Sequence, residues 1–235
     1  MFQTSWDKFV KAFVDNGGYK NVLLGLENTA YIALFGFLIG LLIGTIIATV
    51  KVAGNNNKIA KGFSKVGDVY VGFFRGTPIV VQLLLIYYVL FPLIGITVDK
   101  LIIAIVTFGL NSGAYVAEIM RSGVLSVDSG QYEAGRSLGL SYSATMARIV
   151  LPQALKNSLP SLGNELIALV KDTSVAGFIA VFDLTAAFKL IGSAAYSYVV
   201  PYLMLALFYL VIVIVLTVII KLIERRLRKG DRRAN

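Results

Sequence analysis

The chain has 235 residues, of which 57% are hydrophobic, and a formal net charge of +9. Its mean hydropathy of +0.78 excludes a water-soluble domain and indicates an integral membrane protein. Cysteine and histidine are both absent, which excludes a disulfide framework and any thiolate or imidazole metal site. No carboxylate cluster or nucleophile with a base is visible, so neither a metal site nor a catalytic residue is predicted.

The N-terminal segment, residues 1–20, is predicted to be an amphipathic helix. Residues 1–18 lack the basic start and the unbroken apolar core of a signal peptide. Their apolar side chains recur at helical spacing, at Trp6, Phe9, Val10, Phe13 and Val14. Such a helix either lies in the membrane surface on the extracytoplasmic side or caps the helices that follow it.

Five apolar runs are long enough to cross a bilayer as helices, because one crossing takes about 20 residues. They are residues 30–50, extended upstream through 22–26, then 79–96, 101–120, about 158–179, and 199–220. Gly40 and Gly44 in the first run are spaced for close helix packing. The sequence therefore predicts an all-α membrane protein with five transmembrane helices.

A basic, polar connection joins the first two runs, and a helical pattern resumes at 69–74. It ends in the string Arg75-Gly76-Thr77-Pro78. Pro78 removes a backbone donor, so we predict a kink near the membrane boundary. Arg75 is interpreted as an interfacial anchor whose charge reaches the headgroups, with a gating role as the alternative.

The distribution of lysine and arginine predicts the orientation. The connections after the first and third runs and the segment after the fifth contain 16 of the 22 basic residues. By the positive-inside rule these segments are cytoplasmic, so the N-terminus is outside and the basic tail, residues 226–235, is inside. Basic residues dispersed over three loops favour anionic lipid as their partner and do not support nucleic-acid binding.

The connection between the third and fourth runs contains a charged segment, residues 133–152, which cannot itself cross the bilayer. Gly139 interrupts its apolar positions, and Pro152 is expected to stop it, since both residues are poor helix formers. We predict two short helices that meet at an angle at Gly139. Composition alone favours an ordinary amphipathic segment lying on lipid headgroups, because such helices are common.

The spacing within residues 133–152 resembles the signature E-A-A-x3-G-x9-I-x-L-P of membrane subunits of ATP-binding cassette importers. Matching or aligned positions are Glu133, Ala134, Gly135, Gly139, Ile149, Leu151 and Pro152. Gly135 is the one departure, because alanine is usual there. The strings RGTP (75–78), NSGAYVAE (111–118), GQYEAG (130–135) and GNELIALVKDTS (163–174) resemble the polar amino acid branch of this family, and the resemblance covers nearly all of residues 20–225.

The resemblance implies a type I importer permease fold, with a transmembrane domain at residues 21–225 and a cytoplasmic ATPase-coupling loop at 130–155. It implies translocation of a polar amino acid by alternating access. The implied partners are two ATPase subunits that bind the ATP, a second permease subunit, identical or homologous, and an extracytoplasmic solute-binding protein. The chain has no G-x-x-x-x-G-K-[ST] phosphate loop, so it is not predicted to be an ATPase or to hold a cofactor.

The alternative to an importer subunit is a nucleotide-independent secondary carrier or channel. Such carriers are commonly built from two inverted repeats. Five spans do not divide into two equal inverted halves, which disfavours this alternative.

Five polar residues inside the predicted spans are candidates for substrate contact. Asn111, Tyr115 and Glu118 share one face of the third span, and Asn164 and Glu165 lie in the fourth. Ionisable groups within a membrane face a partner or a water-filled path. The set is interpreted either as a substrate site or as a polar clamp between helices. The acidic members would suit a cationic amino acid, but the motifs do not decide the substrate.

Overall fold

The computed structural model describes residues 2–53 and 58–229, and the regular elements within these ranges are helices. The first half contains α1 (Phe2–Val10) with a π-helical turn (Lys11–Asp15), α2 (Gly18–Ala53), α3 (Lys58–Gly76), α4 (Ile79–Leu85), a π-helical turn (Ile86–Leu90), α5 (Phe91–Leu93) and α6 (Lys100–Leu125). The second half contains α7 (Ser129–Ser137), α8 (Tyr142–Thr145), a π-helical turn (Met146–Val150), α9 (Leu151–Asp172), a 3-10 helix (Thr173–Ile179), α10 (Leu184–Ala194) and α11 (Val199–Lys229).

Three described helices are individually long and apolar enough to cross a membrane: Gly18–Val52, Lys100–Leu125 and Val199–Leu227. The number rises to five if two bent pairs each count as one crossing, namely Lys61–Gly76 with Ile79–Leu93, and Tyr142–Ile179 with Leu184–Ala194. The predicted all-α membrane fold is thus observed, and the five predicted runs all lie within these segments or overlap them. The basic tail mostly lies outside the described residues.

The predicted break at the end of α3 is present. Pro78 has a φ of −65° and a ψ of 138°, an extended conformation, and it is the residue that precedes α4. Proline cannot donate a backbone hydrogen bond and it disfavours a helical conformation at the residue before it. The chain therefore leaves α3 at Gly76 and starts a new helix at Ile79.

One sequence-based prediction about helix ends is wrong, and one helix was missed. Pro152 does not stop a helix: it lies in a continuous helical run from Tyr142 to Asp172, directly after the π-helical turn Met146–Val150, whose wider i→i−5 bonding accommodates a residue without an N–H. The missed helix follows the fourth span. Asp183 starts this helix, α10, because its carboxylate accepts hydrogen bonds from the backbone N–H groups of Thr185 and Ala186.

The first of two compact units comprises residues 2–38, 77–110 and 166–216. One buried cluster in it joins α2, α4, α6 and the 3-10 helix, through residues such as Ile32, Leu83, Phe108 and Ile179. A second cluster joins the N-terminal segment to α2 and α10, through Phe9, Ala12, Val22, Phe188 and Ile191. This packing corresponds to the capping role, one of the two predicted for the N-terminal helix.

The second unit comprises residues 39–53, 58–76, 111–165 and 217–229. Within it α2 and α6 approach closely at the predicted glycines. A Cβ atom on Gly40 would lie 2.7 Å from Ser112 Cβ, and one on Gly44 would lie 2.6 Å from Val116 Cβ. Beside this contact, Ala114 and Ala117 of α6 are buried together with Val71 of α3. The spacing-based prediction of helix packing is therefore observed in atomic detail.

Candidate functional site

The segment from α7 through α8 to the end of the π-helical turn, which we call the elbow (residues 129–150), is built by three local signals. Asp128 Oδ1 accepts a hydrogen bond from Gly130 N at 2.7 Å and so starts α7. Gly139 has a φ of +83°, the left-handed conformation that glycine adopts at helix ends. Ser141 Oγ accepts from Ala144 N at 3.2 Å and starts α8. The two predicted short helices and their break at Gly139 are both present.

The end of α7 is a Schellman motif, which explains why a glycine stands at position 139. Gly139 N donates to Arg136 O at 3.0 Å, and Leu140 N donates to Gly135 O at 3.2 Å. These two bonds require a left-handed residue directly after the C-cap, Leu138. The elbow is therefore a fixed turn in the backbone.

The inner side of the elbow is closely packed. Gly135 is buried, and a Cβ atom there would lie 2.8 Å from both Ile149 Cδ1 and Thr145 Cγ2. This contact explains the departure from the usual alanine, because these two side chains occupy the place of a methyl group. The rings of Tyr132 and Tyr142 meet edge to face with 6.1 Å between their centroids. These contacts hold α7 against the turn that precedes α9.

The remaining residues of the signature differ in exposure, and two of them directly follow the elbow. Glu133, Ala134, Gly139 and Pro152 are exposed, whereas Ile149 and Leu151 are half-buried. Leu138 is 82% exposed at the tip of the elbow. The tip of the elbow therefore presents one large apolar side chain among polar and charged residues.

A polar cavity of about 430 Å³ lies between α3, α6 and α9 in the second unit. Two predicted residues, Tyr115 and Glu118, line it. The others that line it include Arg75, Ser122, Ser126, Asn157, Ser158 and Ser161. Arg75 lies over the Tyr115 ring, with 5.4 Å from its Cζ atom to the ring centroid. Arg75 of α3 therefore lines the cavity and contacts an aromatic ring of α6.

The other three predicted substrate residues are placed outside the lining of this cavity. Asn111 is buried and its Nδ2 atom donates to Phe74 O at 3.3 Å. Glu165 Oε1 accepts from Ser112 Oγ at 2.9 Å, which links α9 to α6. Asn164 is exposed on α9. The structure therefore brings Tyr115 and Glu118 together but does not gather all five residues into one pocket.

The decisive comparison is with known families. Residues 36–229 match the family described as "Binding-protein-dependent transport system inner membrane component". This chain belongs to that family.

This chain is similar to named permeases along most of their length. It is 38% identical to the arginine transport system permease protein ArtQ of Bacillus subtilis (strain 168), over 89% of this chain and 94% of that protein. It is 37% identical to the putative glutamine transport system permease protein GlnP of Rickettsia bellii (strain RML369-C), over 88% and 91%. A solved structure of an amino acid ABC transporter with histidines matches with a TM-score of 0.81 at 37% identity, over 88% of this chain and 94% of that one. The predicted family and fold are confirmed.

Sequence reasoning missed further polar residues of the transport component's cavity. On α6, Ser122 follows the predicted candidate Glu118 by four residues. On α9, Ser161 and Asn157 precede the predicted candidate Glu165 by four and eight residues. This periodicity was a readable signal, because residues four apart lie on one helix face and so extend the polar stripe of each candidate.

Proposed function

We propose that this family member is the permease subunit of an importer for a polar amino acid, energised by separate ATPase subunits that bind at the elbow. The observation that carries the proposal is the exposed, rigid elbow, with Leu138 at its tip and the signature residues around it. A fixed backbone turn can transmit a displacement, whereas a flexible loop would absorb it. ATP is bound by the partner subunits.

The partners follow from the family. The complex contains two ATPase subunits, a second permease that is identical or homologous, and an extracytoplasmic binding protein that delivers the amino acid. The lysine and arginine distribution supports an N-terminus outside and an elbow in the cytoplasm, where ATP is available. The cycle is alternating access, in which closure of the ATPases on ATP moves the elbow and tilts the attached helices.

The amino acid path follows the polar stripes of α6 and α9. The hydroxyl groups of Tyr115 and Ser161 and the amide group of Asn157 offer hydrogen bonds to a zwitterion within an otherwise apolar bundle. The proteins similar to this chain include permeases named for arginine and for glutamine transport. Glu165 lies outside the cavity lining but one helical turn beyond Ser161 on α9, where its carboxylate would favour a cationic side chain moving along the path. Arginine is therefore the first substrate to test.

The function is tested in proteoliposomes that contain the chain with a matching ATPase subunit and binding protein. We expect arginine or glutamine uptake that requires ATP inside the vesicles and is unaffected by dissipating ion gradients. A vanadate-inhibited ATPase is the control for the requirement. Uptake that continues without ATP and stops when an ion gradient is dissipated would contradict the proposal and favour a secondary carrier.

Replacing Glu165 with glutamine should weaken substrate binding in the path. The neutral amide keeps a hydrogen bond to Ser112 but removes the negative charge. We expect the arginine concentration for half-maximal uptake to rise about tenfold, since a lost charge contact corresponds to roughly 1.4 kcal/mol. Ser112→Ala is the matched control, because it removes the hydrogen bond and keeps the charge. An unchanged half-maximal concentration in Glu165→Gln would assign Glu165 to helix packing alone.

A further inference from the structure

Five charged residues meet beside the elbow in the second unit, and we call them the charge cluster: Lys51, Asp68, Arg75, Glu118 and Arg121. Lys51 Nζ lies 2.8 Å from Glu118 Oε1 and 2.9 Å from Asp68 Oδ1. Arg121 Nη2 lies 2.9 Å from Glu118 Oε2, and Arg75 Nη1 lies 4.0 Å from that same oxygen. Glu118 is therefore shared by three cations.

The three cations come from three different helices: Lys51 from α2, Arg75 from α3 and Arg121 from α6 itself. The Glu118 and Lys51 side chains are only 19% and 12% exposed. Charges removed from water in this way are stable only while each retains its partner, so loss of one partner is strongly unfavourable for the others. Both oxygens of the Glu118 carboxylate are engaged by cations of this chain, which leaves it poorly placed to hold the ammonium or guanidinium group of a substrate.

Three members of the charge cluster line one cavity together with residues of the elbow. Its volume is about 610 Å³, and its lining includes Lys51, Asp68 and Arg121 together with Tyr132 and Tyr142 from the elbow. Arg121 lies in the last turns of α6, and Asp128, the residue that starts α7, follows seven positions later. A displacement of the elbow therefore acts on the helix end that the charge cluster holds.

We propose that Glu118 is a positioning residue that fastens the ends of α2 and α3 to α6 next to the elbow, so that work done on the elbow reaches all three helices. The inference rests on the proposed function, since it needs an ATPase that acts on the elbow. It replaces the sequence-based hypothesis that Glu118 contacts the substrate. Without the carboxylate, three cations face each other with Asp68 as their remaining anion in the cluster, and the three helix ends separate.

The test is Glu118→Gln in the proteoliposome system, with two quantities measured: arginine molecules taken up per ATP hydrolysed, and the arginine concentration for half-maximal uptake. We expect the first to fall about tenfold and the second to stay within about twofold of wild type. Glu118→Asp, which keeps the charge, should recover part of the loss. Glu27→Gln is the matched control and should leave both quantities unchanged. Glu27 is an exposed acid on α2 that accepts a hydrogen bond from Tyr31, one turn away on the same helix.

A double-mutant cycle with Lys51→Met separates the inference from the function on which it rests. The coupling ratio is the number of arginine molecules taken up per ATP hydrolysed. If the two residues act as one unit, the double variant Lys51→Met, Glu118→Gln has the same coupling ratio and melting temperature as the more impaired of the two single variants. Two results would overturn the inference. One is that the losses of coupling ratio and melting temperature in the two single variants add up in the double variant. The other is that Glu118→Gln raises the arginine concentration for half-maximal uptake and leaves the coupling ratio unchanged. Should Glu118→Gln fail to accumulate, Lys51→Met alone is expected to show the coupling loss. A wild-type complex without ATP-dependent uptake would refute the proposed function, and the melting-temperature cycle would still decide whether the pair acts as one unit.

Discussion

Gly139→Val is expected to reduce ATP-dependent uptake by at least about tenfold while the chain still inserts and folds. Gly139 has a φ of +83°, where an L-residue costs about 1–2 kcal/mol and a β-branched one more. A Cβ atom at this position would meet no atom within 4 Å, so the effect is conformational and not a clash. Valine would shift the chain out of the left-handed conformation, break the Schellman bonds of α7 and re-aim the exposed Leu138. The measurement is uptake together with copurification of the ATPase subunit.

Two variants control for the Gly139 prediction. Gly139→Asn should keep most of the activity, because asparagine tolerates the left-handed conformation. Gly17→Val places the same strain at another open glycine, with a φ of +72°, between the N-terminal segment and α2. We expect it to leave copurification of the ATPase unchanged. Normal uptake in Gly139→Val, or an equal loss of ATPase binding in Gly17→Val, would contradict the role of the elbow.

Gly44→Ala is expected to have the largest effect on stability. The added methyl carbon would lie 2.6 Å from Val116 Cβ and 2.7 Å from Ala117 N, and the second of these is backbone that cannot rotate away. Overpacking of this kind typically costs 1–3 kcal/mol, so α2 must move away from α6. We expect a melting temperature in detergent that is lower by several degrees, with a smaller yield of folded protein.

Gly72→Ala is the matched control for Gly44→Ala. Gly72 also lies within a helix, α3, but a Cβ atom there would meet nothing within 4 Å. Alanine is the better helix former by up to about 1 kcal/mol, so this variant should be as stable as wild type or slightly more so. A Gly44→Ala chain that melts with wild type would show that α2 and α6 are not held together at this glycine.

Local sequence signals predicted the elbow and the close-packing stripe of α2, because each pattern is formed by residues close together in the chain. Gly139 stands one residue beyond the C-cap of α7, and Gly40 and Gly44 are one helical turn apart on α2. The start of α10 also had a local signal, since Asp183 precedes an apolar stretch. It was missed because α10 has only 11 residues, too few for a crossing by the length criterion that found the other helices.

Contacts between distant residues were beyond the reach of pattern reasoning. Lys51 and Glu118 are 67 residues apart, and their ion pair exists only because α2 and α6 pack side by side. The sequence placed Glu118 correctly on a polar face of its helix but could not show which cations face it. It was therefore a candidate for either a substrate contact or a polar clamp between helices, and its ion pairs favour the positioning role that we propose.

If an ATPase subunit binds the exposed elbow, a crosslink from a single cysteine at the tip of the elbow should capture it. The chain has no cysteine, so Leu138→Cys introduces a unique thiol at the tip. With a thiol- and amine-reactive crosslinker, we predict a covalent adduct with the ATPase subunit whose yield changes when ATP is added. Leu210→Cys, exposed on α11, should form none. A complex that imports arginine with ATP yet gives no adduct at Leu138 would contradict the account.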